Sequence, residues 1–192
     1  MVDTRSRPSD LLVSDDSALV VVDIQGKLLS AMPAAETEAM LANTGKLLVA
    51  AGLLSVPVLV TEQYPKGLGP TAEVIAAQLP NTSQCFEKTA FSCCGCDEFN
   101  QVLTASRRRQ VVLVGQESHV CVLQTAVDLQ NRGFYVHVVE DAVCSRADNH
   151  KQNALRRLRH LGVAVTNHES VLFEWLRDAK HSHFKAISAL LR

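Results

Sequence analysis

The stretch VGQESHVCVLQTAVDLQNRG, residues 114–133, crosses from an apolar run to an amphipathic one through a short polar break. Residues 111–114 read as a buried strand, Gly115 ends the run, and a helical pattern spans 121–132 until Gly133 stops it. A cysteine, Cys121, sits at the seam. A strand that feeds a helix through a few residues is half of a β–α–β unit, so the fold turns on whether the rest of the chain repeats that pattern.

It does. Strand-like runs fall at 18–24, 56–61, 83–88, 110–115, 134–141 and 163–166. Helical patterns lie between and after them, at 36–51, 71–78, 96–105, 121–132, 148–161 and 170–179, with a tail helix at 183–191. Gly52, Gly133 and Gly162 each stand just past a periodic segment, as helix stops do. Strict alternation predicts a six-stranded parallel sheet covered on both faces, a Rossmann-like three-layer α/β/α sandwich with right-handed crossovers. The organisation reads as an N-terminal arm (1–16), one domain (17–180) and a C-terminal helix (181–192) that packs on the body or on a neighbouring subunit.

The totals agree. A chain of 192 residues, 47% hydrophobic and 20% charged, can bury a full core in one domain. A formal net charge of -1 offers no bulk attraction to nucleic acid or an anionic membrane. No apolar stretch has the length of a membrane span. The first residues carry two arginines against four aspartates, a poor transit peptide, so the reading is cytoplasmic, with mitochondrial the lesser alternative. The six cysteines do not form a secreted disulfide scaffold and are read as reduced thiols.

In open parallel sheets, sites gather beyond the carboxyl ends of the strands, where strand order reverses. Three chemistry-bearing residues occupy such places: Asp23 after the first strand, Lys88 ending the third, and Cys121 after the fourth. If the first and fourth strands are neighbours, all three converge. A thiol at a helix N-terminus beside an ammonium is expected to ionise, and Asp23 would take its proton. Backbone amides between Gly115 and Cys121 would face a developing oxyanion. Together these make covalent acyl-transfer chemistry. Read singly, each has an ordinary alternative: a buried small hydrophobe for Cys121, a cap for Asp23, a solvated lysine for Lys88.

The segments ALVVVDIQ, FEKTAFS and VGQESHVCVLQTAVDLQNRGFYVHVVEDA resemble the three signature segments of the isochorismatase-like (cysteine) hydrolases. VTEQYPKGLGPT resembles more narrowly the eukaryotic isochorismatase-domain-containing proteins and their bacterial relatives. The resemblance covers about 17–166 and implies a catalytic Asp23–Lys88–Cys121 triad and a homo-oligomer, a dimer or tetramer. It also implies a cis peptide between Gln116 and Cys121, which would turn a loop N–H toward an oxyanion beside the N–H of Cys121; the Glu117 amide is our candidate for that donor.

Departures narrow the expected function. Nicotinamidases of this family hold a metal through Asp-x-His and a second His after the second strand; here that loop reads TEQYPKGLGP, and no histidine precedes His119. Glu62 is the one candidate ligand there, and the reading is a hydrolase with no metal and no cofactor. Isochorismatases proper often lack the cysteine, so Cys121 tilts the chemistry toward a small amide, carbamoyl or related acyl substrate, cleaved through a thioester. Gln63, Tyr64, Phe91 and His119 flank the signature segments and are the pocket candidates; ordinary packing is the alternative for the two aromatics.

Two further signals are demoted. Cys93, Cys94 and Cys96 contain one C-x-x-C without a second ligand pair. The basic runs 106–110 and 156–160 lie at predicted helix ends, where cations complement the dipole. An RNA-binding or ribonuclease-type protein is the second reading and a non-catalytic oligomer the third; the latter expects Cys121 to alkylate no faster than the other thiols.

Overall fold

Residues 11–192 are described in the computed structural model. The apolar runs form β1 (Ser17–Val22), β2 (Val58–Gln63), β3 (Gln84–Lys88), β4 (Gln110–Gln116), β5 (Tyr135–Cys144) and β6 (Ala164–Thr166). All five pairings are parallel, in the order β3-β2-β1-β4-β5-β6. The chain fills one half of the sheet outward from β1, then returns and fills the other half from β4. β1 and β4 are therefore the switch-point neighbours, paired from Ser17↔Gln110 to Val22↔Gly115.

Between and after the strands lie α1 (Gly26–Leu29), α2 (Ala34–Leu53), α3 (Pro65–Leu68), α4 (Glu73–Ala76), α5 (Asp97–Ala105), α6 (Leu123–Asn131), α7 (Asp148–His160), α8 (His168–Leu176) and α9 (Phe184–Ser188). Alternation along β1 divides the interior in two. Leu19 and Val21 pack with Met40, Leu47, Leu48, Leu172 and Trp175 on the side of α2 and α8. Ala18, Val20 and Val22 pack with Phe99, Leu103, Ala126, Leu155 and Leu158 on the side of α5, α6 and α7. Burial on both faces explains why β1 reads as an unbroken apolar run.

Several expectations shift in detail. Gly52 does not end α2; the helix continues to Leu53, Ser55 takes the left-handed turn at φ 56°, and Val56 N–H closes the end on Ala51 O at 2.9 Å. The short α1 and α3 carry too little apolar periodicity to read from sequence. Part of the expected arm, residues 1–10, lies outside the described residues, but Leu12 is fully buried and donates its N–H to a Glu174 carboxylate oxygen at 2.7 Å. The expected C-terminal helix is shorter than 181–192 and docks on the body through the fully buried Ile187. Among the described residues, no helix is long and apolar enough to cross a membrane.

Candidate active site

β1 stops at Val22 and the chain turns at once: Asp23 adopts a left-handed backbone, φ 51°. That turn is held by Asp23 N–H donating to Thr61 O at 3.1 Å and by Gln116 Nε2 donating to Asp23 O at 3.0 Å. The close approach needs a glycine. Gly115 has φ 112°, and a Cβ there would collide with the Val22 carbonyl oxygen.

Lys88 ends β3, two strands from β1, and reaches back so that Nζ lies 2.7 Å from Asp23 Oδ2. The same ammonium also donates to Gln63 Oε1 at 2.7 Å, Phe91 O at 3.0 Å and Ala90 O at 3.2 Å. Three protons shared among four acceptors leave none for a ligand, so Lys88 acts on this cluster as an anchored charge.

Cys121 completes the cluster from a different backbone than its sequence implied. The helix does not open at Cys121; it starts at Ser118 as a π turn, Ser118–Val122, which runs into α6. The wide turn is visible in the Val122 N–H bonding five residues back, to Glu117 O, at 3.2 Å. Cys121 thus sits inside the first turn, with its thiol and the Asp23 carboxylate close enough to act on each other electrostatically. Asp23, Lys88 and Cys121 are 0%, 5% and 6% exposed, so three residues distant in sequence share one nearly dry crevice.

The cis peptide falls at Gln116–Glu117, within the expected window. The Glu117 carboxylate accepts the Arg146 backbone N–H and Nε, each at 3.0 Å, tying this loop to the one after β5.

The remaining candidates divide. Gln63 joins the cluster through Lys88, and its backbone N–H donates to the fully buried Gln25 at 2.7 Å. Phe91 touches the cluster only through its carbonyl, and its side chain, like that of Tyr64, is more than half exposed. His119 turns to Ser145 Oγ, 3.0 Å from Nδ1, and to the His150 ring, with centroids 4.6 Å apart. Glu62 is committed to Thr71, accepting from its N–H at 2.6 Å and its hydroxyl at 2.7 Å. A groove of about 510 Å³ passes Tyr64, Lys66, Lys88, Thr89 and Asp97, while neither Asp23 nor Cys121 lines it.

Sequence reasoning missed Thr61, whose hydroxyl donates to Asp23 Oδ1 at 2.8 Å, and Gln116, which holds the Asp23 carbonyl. A signal existed. Both are polar residues at the carboxyl ends of apolar strand runs, the same places that nominated Asp23 and Lys88.

The isochorismatase domain model matches residues 17–170, four-fifths of the chain. This chain belongs to the isochorismatase family. It is 40% identical over 177 residues to isochorismatase domain-containing protein 2 of Bos taurus, covering 92% of this chain and 83% of that one. Among solved structures it is similar to the MAR1 ribonuclease from Caenorhabditis elegans, 36% identical, TM-score 0.89, covering 94% of this chain and 92% of the other. The YcaC gene product of Escherichia coli, described as an octameric hydrolase of unknown specificity, shares the fold at 24% identity and TM-score 0.88, covering 97% and 91%.

Electrostatics in this family member weigh against one expectation. Burial pushes the Cys121 thiol well above the ordinary range, the Asp23 charge adds to it, and Lys88 offsets only part. Burial and the Asp23 charge thus oppose the thiolate that the helix terminus and Lys88 were expected to favour. Burial also raises Asp23, against the pull of Lys88 and of hydrogen bonds from Lys88, Cys121 and Thr61. A raised carboxylate is the stronger base, and its charge is felt by the thiol.

Proposed function

We propose that this protein is a cysteine hydrolase that cleaves a small amide, carbamoyl or related acyl substrate through a Cys121 thioester. The observation that carries the reading is the buried Lys88–Asp23–Cys121 cluster: an ion pair of 2.7 Å whose carboxylate and the thiol act on each other electrostatically. The thiol proton moves to Asp23 as Cys121 Sγ attacks the substrate carbonyl carbon. The carbonyl electron pair moves onto oxygen, where the backbone N–H groups of Glu117 and Cys121 are assigned as donors. Collapse expels the leaving amine, which takes the proton from Asp23, and a thioester remains. Asp23 then takes a proton from the water that attacks the thioester carbonyl, and as the tetrahedral intermediate collapses it returns that proton to the departing Cys121 sulfur, restoring thiol and carboxylate. Lys88 keeps the Asp23 charge tolerable in a dry crevice throughout.

The family membership and the described hydrolase on the same fold support this class. Tyr64, Phe91 and His119 are assigned to the rim, where a small, partly apolar substrate enters. The octameric YcaC supports a closed homo-oligomer for this chain as well. The deciding experiment is a panel of small amides and carbamoyl compounds on wild type and Cys121→Ala. Turnover is expected in wild type and at least ~10³-fold lower in the folded variant; unchanged activity in Cys121→Ala ends the reading.

A second reading, ribonuclease activity, is favoured by the likeness to the MAR1 ribonuclease. The basic run 106–110 supports it weakly, since Arg109 pairs with Asp16 at 2.9 Å and Arg108 donates to Ser14 and Asp15 carbonyls. Cleavage of labelled RNA by wild type that persists in Cys121→Ala would select it.

A further inference from the structure

Asp23 is gripped on both carboxylate oxygens, and the second grip comes from Thr61, which is backed by a cysteine that the sequence left without a role. Oδ2 accepts from Lys88; Oδ1 accepts from the Thr61 hydroxyl at 2.8 Å. The Thr61 oxygen in turn lies 3.5 Å from Cys93 Sγ, and both residues are fully buried. A hydroxyl carries one proton. With that proton committed to the carboxylate, Cys93 S–H is the donor to Thr61, and the chain has one direction: Cys93 to Thr61 to Asp23. The turn that carries Cys93 is fixed by its N–H donating to Thr125 Oγ1 at 3.0 Å. Thr125 stands four residues after Cys121, about one turn along the same helical segment. The donor chain is therefore anchored to the element that presents Cys121.

We propose that Thr61 and Cys93 are positioning residues that hold the Asp23 carboxylate in its ionised, base-competent orientation toward Cys121. This rests on reading Asp23 as the base for Cys121. A carboxylate gripped at one oxygen swings about its Cβ–Cγ bond; gripped at both, it presents a fixed edge to the thiol. A hydrogen bond to the charged form also favours that form. The groups that face Asp23 are Lys88 from β3, Cys121 from the π turn, Cys93 from the 3-10 turn Cys93–Gly95 and the Thr61 hydroxyl from β2. Only the last would be lost in Thr61→Val. Cys93 is fully buried and its sulfur meets the Thr61 hydroxyl, so it is assigned a supporting place and not attack on substrate. Neither residue is assigned contact with substrate.

The test is the pH profile of Cys121 alkylation by iodoacetamide, read by peptide mass spectrometry so that the other five cysteines are resolved. No substrate is needed. In the isosteric Thr61→Val variant, Asp23 stays protonated to higher pH; the profile's midpoint is expected to rise by about one unit, with a ~10-fold slower reaction on its acid side. Thr61→Ser restores the wild-type profile, as does Cys93→Ser, which keeps a donor. Cys93→Ala shifts it in the same direction by less, and decides the matter should the valine variant fail to fold. A folded Thr61→Val or Cys93→Ala whose profile superimposes on wild type overturns the proposal. Asp23→Asn separates the two levels. If it flattens the profile while Thr61→Val does not move it, the positioning role alone falls; if it leaves the profile unchanged, Asp23 is not the base and the hydrolase mechanism falls with it.

Discussion

β1 has a buried polar network at each end, and the two are built differently. At its start, Ser17 Oγ donates to Val13 O at 2.7 Å and accepts from Trp175 Nε1 at 3.0 Å, while Gln110 accepts from Val13 N–H at 2.8 Å. Every member is neutral, every bond fastens one piece of chain to another, and nothing there is poised to react. Beyond its other end lie Asp23, Lys88 and Cys121, with a full charge on each of two groups and a thiol between burial and a base. Equal burial gives a clasp at one end and a reactive centre at the other. The difference lies in charge, since a neutral network loses little once satisfied, whereas a buried ion pair is costly to make and is weak evidence for stability alone.

That comparison is broken most forcefully at Lys88. Lys88→Met strands a buried carboxylate, and a loss of about 3–5 kcal/mol is expected at neutral pH by chemical denaturation. The loss should shrink in acid, where Asp23 becomes protonated and needs no partner. Asp23→Asn combined with Lys88→Met should recover most of the stability and none of the Cys121 reactivity. A single Lys88→Met variant as stable as wild type would mean that the two ends of β1 do not differ in the way described.

The strands were legible in the sequence because both faces of the sheet are covered, which turns each into an apolar run with sharp ends. Helix bounds were less so. The start at Ser118 was hidden because a π turn breaks the 3.6-residue period that identifies a helix. Within the site, Asp23, Lys88 and Cys121 were readable as reactive residue types at strand ends. Thr61 and Gln116 carried only the weaker signal of a polar residue at a strand end, and Cys93 none, because what the three do lies in contacts across 32 to 93 residues of chain. The expected thiolate rested on the helix terminus and Lys88, which favour the anion; burial and the Asp23 charge act against it. Relative weights of opposing fields are a property of the packed interior, and no motif states them.

A buried group with neither kind of network sharpens the comparison. His137 lies on β5, 7% exposed, and burial alone depresses it to about 4 from its ordinary 6.5. The unfolded chain takes up this proton near its ordinary value and the folded chain resists until near 4. Stability is therefore fully present above about pH 6.5 and falls as the pH drops toward 4, by about 3 kcal/mol in all. Denaturation midpoints measured across that window should show the slope in wild type and lose most of it in His137→Gln.

The clasp itself should cost less to open. Ser17→Ala removes the acceptor of the buried Trp175 Nε1 and is expected to destabilise the fold by about 1–3 kcal/mol. Cys121 alkylation should not change. Altered Cys121 chemistry in that variant would show the two ends of β1 to be coupled.

The smallest effect belongs to the pair nearest the reactive loop. Glu117 and Arg146 meet at 3.0 Å, with the Arg146 side chain 60% exposed, so the ion pair is expected to contribute under about 1 kcal/mol. Arg146→Ala nevertheless keeps the backbone N–H that also donates to the Glu117 carboxylate at 3.0 Å, so the loop retains one of its two ties. Turnover should then fall by less than about 10-fold, with stability almost unchanged. Glu117→Gln keeps an acceptor oxygen for that N–H and should behave alike. If Arg146→Ala instead abolishes turnover while the fold and Cys121 alkylation stay intact, the guanidinium is meeting the substrate, and the boundary between reactive crevice and supporting frame has to be drawn one residue shell further out.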